Sequence, residues 1–333
     1  MGGGKVLVTV DWLHTVPQFA QQMRERIEGA GFEVKLSRTK KSLSEAEVTP
    51  LVGDIVGYIA SNDDLNERVI DKAKQLRVIS RQGAGFDRID LEACTRRGIV
   101  VCNAFGAGAP AVAEFTFGSM LAIGRHMVAG QAALKADDWW LRTDIGGTSP
   151  VGATLGVVGL GHIGRELVRL VRGFRMRVLY YDVVRASDEQ ELGAEFRALD
   201  ELLAESDFVS IHVGLNRATY HMIGEREFTL MKPSAFIVNT SRGGVIDEDA
   251  LYRAIVNGRI AGAALDVFEK EPIAPDSPLL GLGDRILLTP HMAGLSDAAK
   301  QSMLDLATDN LLAVLQGRRP RFVTNPAVYE KSS

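Results

Sequence analysis

Short apolar, β-branched runs alternate along the chain with longer stretches whose apolar residues recur at helical spacing, and the alternation occurs twice. In the first half, Lys5 to Val10, Phe32 to Leu36, Asp54 to Ile59, Leu76 to Ser80 and Ile99 to Val101 read as strands separated by helices. In the second half the same reading falls on Thr154 to Val158, Arg177 to Tyr181, Phe208 to Val213, Ala235 to Asn239, Gly262 to Val267 and Arg285 to Leu288. Such alternation is the pattern of βαβ units, whose crossover helices cover a parallel sheet. The six runs of the second half suffice for a complete dinucleotide-binding fold.

Between the halves, Pro110 can take a first helical position, and the chain from there to Met127 is apolar on nearly every side, which predicts a buried connecting helix. A last helix is predicted from Ser296 to Leu315, with Met303, Leu304, Ala307, Leu311 and Leu315 on its apolar face and Gly317 as its stop. Residues 128 to 150 read as an irregular arm. Trp139 and Trp140 there call for cover, either from a second copy of the chain or from the arm folding as a lid on its own subunit.

At 333 residues the chain exceeds what one core usually organises, so two domains are expected. A formal charge of -4 gives no basic footprint for nucleic acid or an anionic membrane. No apolar run is long enough to cross a bilayer, and the first residues lack the features of a secretion signal. Gly2 is followed by Val6 where an acylation signal would carry Ser or Thr. Two cysteines, Cys94 and Cys102, suit a reducing compartment, and the expected location is the cytoplasm. No histidines and cysteines have zinc spacing, so no metal is expected.

The chemistry begins at Gly159-Leu160-Gly161-His162-Ile163-Gly164, between a strand ending in Val158 and a helix carrying Leu167, Leu170 and Val171. In that context the first glycine permits a tight turn, the second lets a pyrophosphate approach the backbone, and the third allows helix and strand to pack closely. The next strand ends in Asp182, near the expected distance for a carboxylate that accepts from the ribose hydroxyls and repels a 2′-phosphate. NAD is therefore expected over NADP. Arg185 is the one nearby cation that argues the other way.

Three more segments follow strands of the second half: Asn239 to Gly244, Asp266 to Pro272, and Thr289-Pro290-His291. Open parallel sheets bind ligands beyond the carboxyl ends of their strands, so these segments bring a guanidinium, carboxylates and an imidazole to one crevice. A ketone that receives a hydride needs a proton, which an imidazolium is suited to give. A carboxylate on the other ring nitrogen would hold the tautomer and favour the charged form. Arginine binds a carboxylate through two parallel hydrogen bonds. The set points to an acidic, carbonyl-containing substrate. His14, His126 and His221 have no evident partner, and His162 is expected to face solvent.

Across nearly its whole length the chain resembles the D-isomer-specific 2-hydroxyacid dehydrogenases. The likeness rests on Gly83 to Asp90, Asn103 to Glu114, the glycine motif, Asn239 to Asp247, Gly262 to Pro272 and Leu288 to Gly294. The resemblance implies two open parallel-sheet domains, a Rossmann NAD-binding domain (103–291) inserted in a discontinuous flavodoxin-like substrate domain (1–102 and 292–333). It implies that Arg242 binds the substrate carboxylate and carbonyl, that His291 is the general acid or base, and that Glu271, which directly precedes Pro272, pairs with it; Glu269 is the alternative. It places Asp266 on the nicotinamide carboxamide, with His212, Thr240, Ser241 and Gly294 also lining the cofactor site. Ser61, Arg81, Gly83, Ala84 and Gly85 fall to the substrate side, the backbone near Ala84 and Gly85 cradling the carboxylate.

Departures narrow the substrate. Ala60-Ser61-Asn62 replaces the Arg-Ser pair common in phosphoglycerate dehydrogenases, so one phosphate ligand is missing, although Arg81 could compensate. Gly214 stands where the family usually has proline. The expectation is a small unphosphorylated 2-hydroxy or 2-oxo acid of the hydroxypyruvate or glyoxylate class, turned over by a homodimer. The alternatives are a phosphoglycerate dehydrogenase and, in another class, an NAD(H)-sensing protein like the family's corepressors.

Overall fold

The computed structural model describes residues 3–37 and 40–332, so Gly2 and its acylation lie outside the described residues. The chain divides into two compact units, Met1–Gly108 with Ser296–Ser333, and Ala109–Leu295.

The first unit is built on five parallel strands, β1 (Gly3–Val8), β2 (Phe32–Leu36), β3 (Ile55–Ala60), β4 (Val78–Arg81) and β5 (Val100–Asn103), in the order β2-β1-β3-β4-β5. This is the flavodoxin-like order. Side chains alternate across the sheet as strand geometry requires. Val6, Val8, Ile59 and Val78 join Met23 and Ile27 and the helix Asp297–Leu315 on one face, whereas Leu7, Tyr58 and Ile79 meet Val69, Ile70 and Cys94 on the other. The long helix begins where Ser296 Oγ accepts from the Ala299 N–H, and Gly317, at φ +76°, follows its end.

The second unit has seven parallel strands: β6 (Thr154–Val158), β7 (Arg177–Tyr181), β8 (Ala194–Phe196), β9 (Phe208–Ile211), β10 (Phe236–Asn239), β11 (Gly262–Leu265) and β12 (Ile286–Leu288). Their order, β12-β11-β10-β9-β6-β7-β8, is the doubly wound dinucleotide-binding topology with one strand added at an edge. The order reverses between β6 and β9, which is where such sheets hold their ligands. Six expected strands become seven because β8 is only three residues long and exposes Glu195 in its middle, leaving almost no apolar signal.

The connecting helix differs from expectation too. It runs Ala109–Gly124 and stops, since the Gly124 carbonyl turns to accept from Thr148 N–H and His126 adopts φ +50°. A separate helix, Met127–Lys135, follows, so the start of the expected irregular arm is regular. Met127, Val128, Leu134, Trp139 and Trp140 are all exposed. No helix among the described residues is long and apolar enough to cross a membrane.

Candidate active site

The loops after β10, β11 and β12 carry Arg242, Glu271 and His291. Asn239, almost fully buried at the end of β10, shapes the first: its Oδ1 accepts from Ser241 N–H (3.0 Å) and Oγ (2.8 Å), and its Nδ2 donates to the Arg242 carbonyl (2.9 Å). A side-chain amide that caps the backbone just beyond it makes a tight turn, and that turn sets the direction in which Arg242 leaves the strand. Arg242 Nη1 donates to the Ser241 carbonyl at 2.7 Å. The hydroxyls of Thr240 and Thr116 meet at 2.8 Å, tying the loop to helix Ala109–Gly124.

Gly243 fastens this loop to the second. A Cβ there would fall 1.8 Å from the Phe268 carbonyl carbon and 2.3 Å from the Glu269 nitrogen, so only glycine fits. The second loop delivers Glu271, whose Oε2 lies 2.7 Å from His291 Nδ1 and whose Oε1 accepts from Phe268 N–H at 3.2 Å. Burial alone would raise the Glu271 carboxyl. The hydrogen bond and charge of His291, with smaller help from Phe268 N–H and Arg242, hold it below the ordinary carboxylate value. With Nδ1 engaged, Nε2 is the His291 nitrogen left for proton transfer.

Asp266 holds the turn that carries His291. Its Oδ1 accepts from Thr289 Oγ1 (2.5 Å) and Met292 N–H (2.9 Å), its Oδ2 from Ala293 N–H (2.8 Å), and its carbonyl from His291 N–H (2.8 Å). These bonds keep His291 at φ +52°, a conformation that costs a non-glycine residue strain. The sequence gives Asp266 only a cofactor role; this structural one was hidden because its partners are mostly backbone. The turn of Asn239 was readable in principle from an Asn followed by Thr-Ser at a strand end.

Sequence reading offers His221 no partner, and the structure corrects this. His221 Nε2 sits 3.0 Å from Glu269 Oε1, and Glu269 and Glu248 accept reciprocally from each other's backbone N–H. The two carboxylates that compete on paper for His291 thus serve different histidines.

The glycine motif meets three separate geometrical tests of a pyrophosphate cradle. Gly159 has φ +98°, and a Cβ on it would strike the His212 backbone at 2.8 Å. Gly161, the N-cap of helix His162–Val171, faces open space. A Cβ on Gly164 would come within 2.4 Å of the Gly159 carbonyl oxygen. Ile163 is half-buried and His162 is exposed. Asp182 directly follows β7, one oxygen accepting Leu160 N–H at 2.8 Å, which leaves acceptor capacity for a ribose hydroxyl. His212 directly follows β9, its Nε2 2.8 Å from Ser210 Oγ and its Nδ1 closed off without a partner; desolvation pushes its imidazole down to about 3. Gly294 has only a Val112 methyl near its missing side chain.

In the other unit, Ser61, Arg81, Gly83, Ala84 and Gly85 gather at the carboxyl ends of β3 and β4. Arg81 does not extend outward. Its Nη1 lies 1.9 Å from where a Gly83 Cβ would be, and its Nη2 donates to Asn62 Oδ1 at 2.9 Å. Asn103 Nδ2 donates to the Ala84 carbonyl at 2.7 Å, fixing the 83–85 loop. Both cysteines are buried, and burial pushes each thiol up to about 12, too high for thiolate chemistry. No group of three or more His, Cys, Asp or Glu among the described residues could hold a metal ion.

Residues 117–293 match the family model of the D-isomer specific 2-hydroxyacid dehydrogenase, NAD binding domain. The chain is 40% identical over 302 residues to a glyoxylate reductase of Korarchaeum cryptofilum, covering 89% of this chain and 91% of that protein. It is 39% identical over 323 residues to a D-3-phosphoglycerate dehydrogenase of Methanocaldococcus jannaschii, covering 96% of this chain and 59% of that one. Among solved structures, D-lactate dehydrogenase from Aquifex aeolicus complexed with NAD and lactic acid superposes with a TM-score of 0.84 at 31% identity, over 96% of this chain and 99% of that one.

Proposed function

Because the chain belongs to the D-isomer-specific 2-hydroxyacid dehydrogenases, we propose that it reduces a small unphosphorylated 2-oxo acid, glyoxylate or hydroxypyruvate, to the 2-hydroxy acid. It is an NAD-dependent oxidoreductase acting between the nicotinamide and a small 2-hydroxy or 2-oxo acid. The observation that carries the reading is the Glu271–His291 pair at the carboxyl edge of the second sheet, one glycine contact away from the Arg242 loop.

Bound NADH supplies the hydride. Gly159, Gly161, His162, Ile163 and Gly164 would hold its pyrophosphate, Asp182 its ribose, and His212, Thr240, Ser241, Asp266 and Gly294 would line the rest of its site. Arg242 grips the substrate carboxylate and polarises the adjacent carbonyl. His291 gives its Nε2 proton to the carbonyl oxygen as charge develops there, and Glu271 holds the ring in the tautomer that allows it. In the other unit, the resemblance gives Ser61, Arg81 and the backbone of Gly83, Ala84 and Gly85 to the substrate side. The replacement of the Arg-Ser pair by Ala60-Ser61-Asn62 supports an unphosphorylated substrate, and Arg81 is turned toward Asn62 Oδ1.

We also infer a homodimer and a cytoplasmic location. Five exposed large apolar side chains between Met127 and Trp140 support the first, and the scarcity of cysteine supports the second. The test of function follows NADH absorbance with glyoxylate, hydroxypyruvate, pyruvate, phosphohydroxypyruvate and a bulkier 2-oxo acid. Selective turnover of glyoxylate or hydroxypyruvate, lowered about a hundredfold to ten thousandfold in His291→Ala with NADH binding retained, is the expected result. Preference for phosphohydroxypyruvate would move the enzyme to the phosphoglycerate class, and tight NADH binding without turnover would make it a sensor.

A further inference from the structure

We propose that Asp188 and Glu189 enforce the choice of NAD over NADP by occupying Arg165 and Arg185, the two cations nearest in the chain to the ribose-binding Asp182 and the glycine turn. The proposal rests on the assignment of Asp182 to the ribose. In the sequence, Arg185 is the cation that could take a 2′-phosphate. In the structure that cation is spoken for. Arg185 Nε lies 3.0 Å from both Glu189 oxygens and its Nη2 lies 2.6 Å from Oε1, while its guanidinium sits over the Phe196 ring at 5.8 Å.

Glu189 is no loose surface charge. Its side chain is 17% exposed, and its Oε2 accepts at 2.6 Å from the hydroxyl of Tyr180, a fully buried residue of β7 whose oxygen in turn accepts from Ala186 N–H. The Phe196 ring packs edge-on against Tyr180 at 5.5 Å. The acceptor that holds Arg185 is therefore fixed by a hydroxyl of β7, and the guanidinium, itself 67% exposed, turns toward a ligand only by breaking a paired set of hydrogen bonds.

Arg165 stands in the first turn of helix His162–Val171, directly after the third glycine of the motif. Its Nη1 is hydrogen-bonded to both carboxylate oxygens of Asp188, with the two side chains 28% and 34% exposed. Asp188 and Glu189 are adjacent at the head of the short helix Glu189–Leu192, so one two-residue element neutralises both cations. Each guanidinium is thus matched by its own carboxylate, and Asp182, bonded to the Leu160 N–H of the glycine turn, adds a further negative charge at that turn. Selectivity here comes from withholding a cationic partner from the 2′-phosphate.

The test measures binding of adenosine 2′,5′-bisphosphate and of ADP by calorimetry, together with the NADPH to NADH ratio of kcat/KM, in wild type, Asp182→Asn and the pair Asp188→Asn with Glu189→Gln. Both replacements in the pair keep volume, and the Gln retains an acceptor for Tyr180. The expected result is a rise of about tenfold or more in both ratios for the pair, reversed when Arg185→Gln is added and diminished by salt. If the pair leaves both ratios unchanged while Asp182→Asn raises them, the proposal falls and the ribose assignment stands. If Asp182→Asn changes neither ratio, the ribose assignment fails and takes the proposal with it.

Discussion

The Glu271 carboxylate and the His291 imidazole meet at 2.7 Å although twenty positions separate them, because two loops from neighbouring strands converge at one edge of the sheet. Glu271→Gln keeps the shape of this contact and removes its charge. We expect kcat/KM for 2-oxo acid reduction to fall about tenfold to a hundredfold at neutral pH, with less loss on the acid side of the profile. A pH–rate profile on glyoxylate checks this, read as a property of the coupled pair. A profile identical to wild type in height and shape would remove Glu271 from the mechanism.

Arg242 is directed by Asn239 and by its own bond to the Ser241 carbonyl, so the position of the charge is set before any substrate arrives. Arg242→Lys should lower kcat/KM by about a hundredfold, chiefly through KM, since an ammonium cannot reproduce the bidentate fork. Added guanidinium ion should partly rescue Arg242→Ala. A lysine variant with wild-type KM would contradict the assignment.

Gly243 locks the Arg242 loop against the Glu271 loop with no room for a methyl group. Gly243→Ala should therefore cost about 1–3 kcal/mol of stability and most of the activity, though the side chain touches no substrate. Thermal unfolding and steady-state kinetics on the same preparation measure both. An unaltered melting temperature with full turnover would show that the two loops are free to separate.

Whatever announced itself through side-chain chemistry or strong periodicity could be read from the sequence. Phe32 to Leu36, Thr154 to Val158 and Arg177 to Tyr181 are strands from end to end, and the terminal helix starts at its Ser296 cap. Glu271 and His291 are brought together as the family resemblance implies, where residue types alone left Glu269 open as well. The less legible features depend on backbone. β8 escaped because three residues with an exposed centre carry no pattern, and the helix break at His126 because nothing in an apolar stretch marks a carbonyl that turns to Thr148. The His221–Glu269 contact escaped because the partners stand 48 positions apart and no spacing rule connects them. Arg81 reads on paper as a cation that could replace the missing phosphate ligand, and only the geometry of Gly83 and Asn62 shows it folded back.

His212 gives the last prediction, on stability. Its imidazole is pushed down to about 3 by loss of water around the ring, whereas in the unfolded chain it returns to the ordinary value near 6.5. Between those values the unfolded state binds a proton that the folded state does not, so stability must fall as the pH drops through the window. One proton corresponds to at most about 1.4 kcal/mol per pH unit. Between pH 6.5 and 5 ordinary carboxylates are still ionised, so the histidine contribution can be isolated there. His212→Asn, which keeps a polar group for Ser210 but cannot titrate, should flatten the decline in urea midpoint over that interval. If wild type and variant decline in parallel, the ring takes up its proton in the folded protein, and the closed Nδ1 position must open to water.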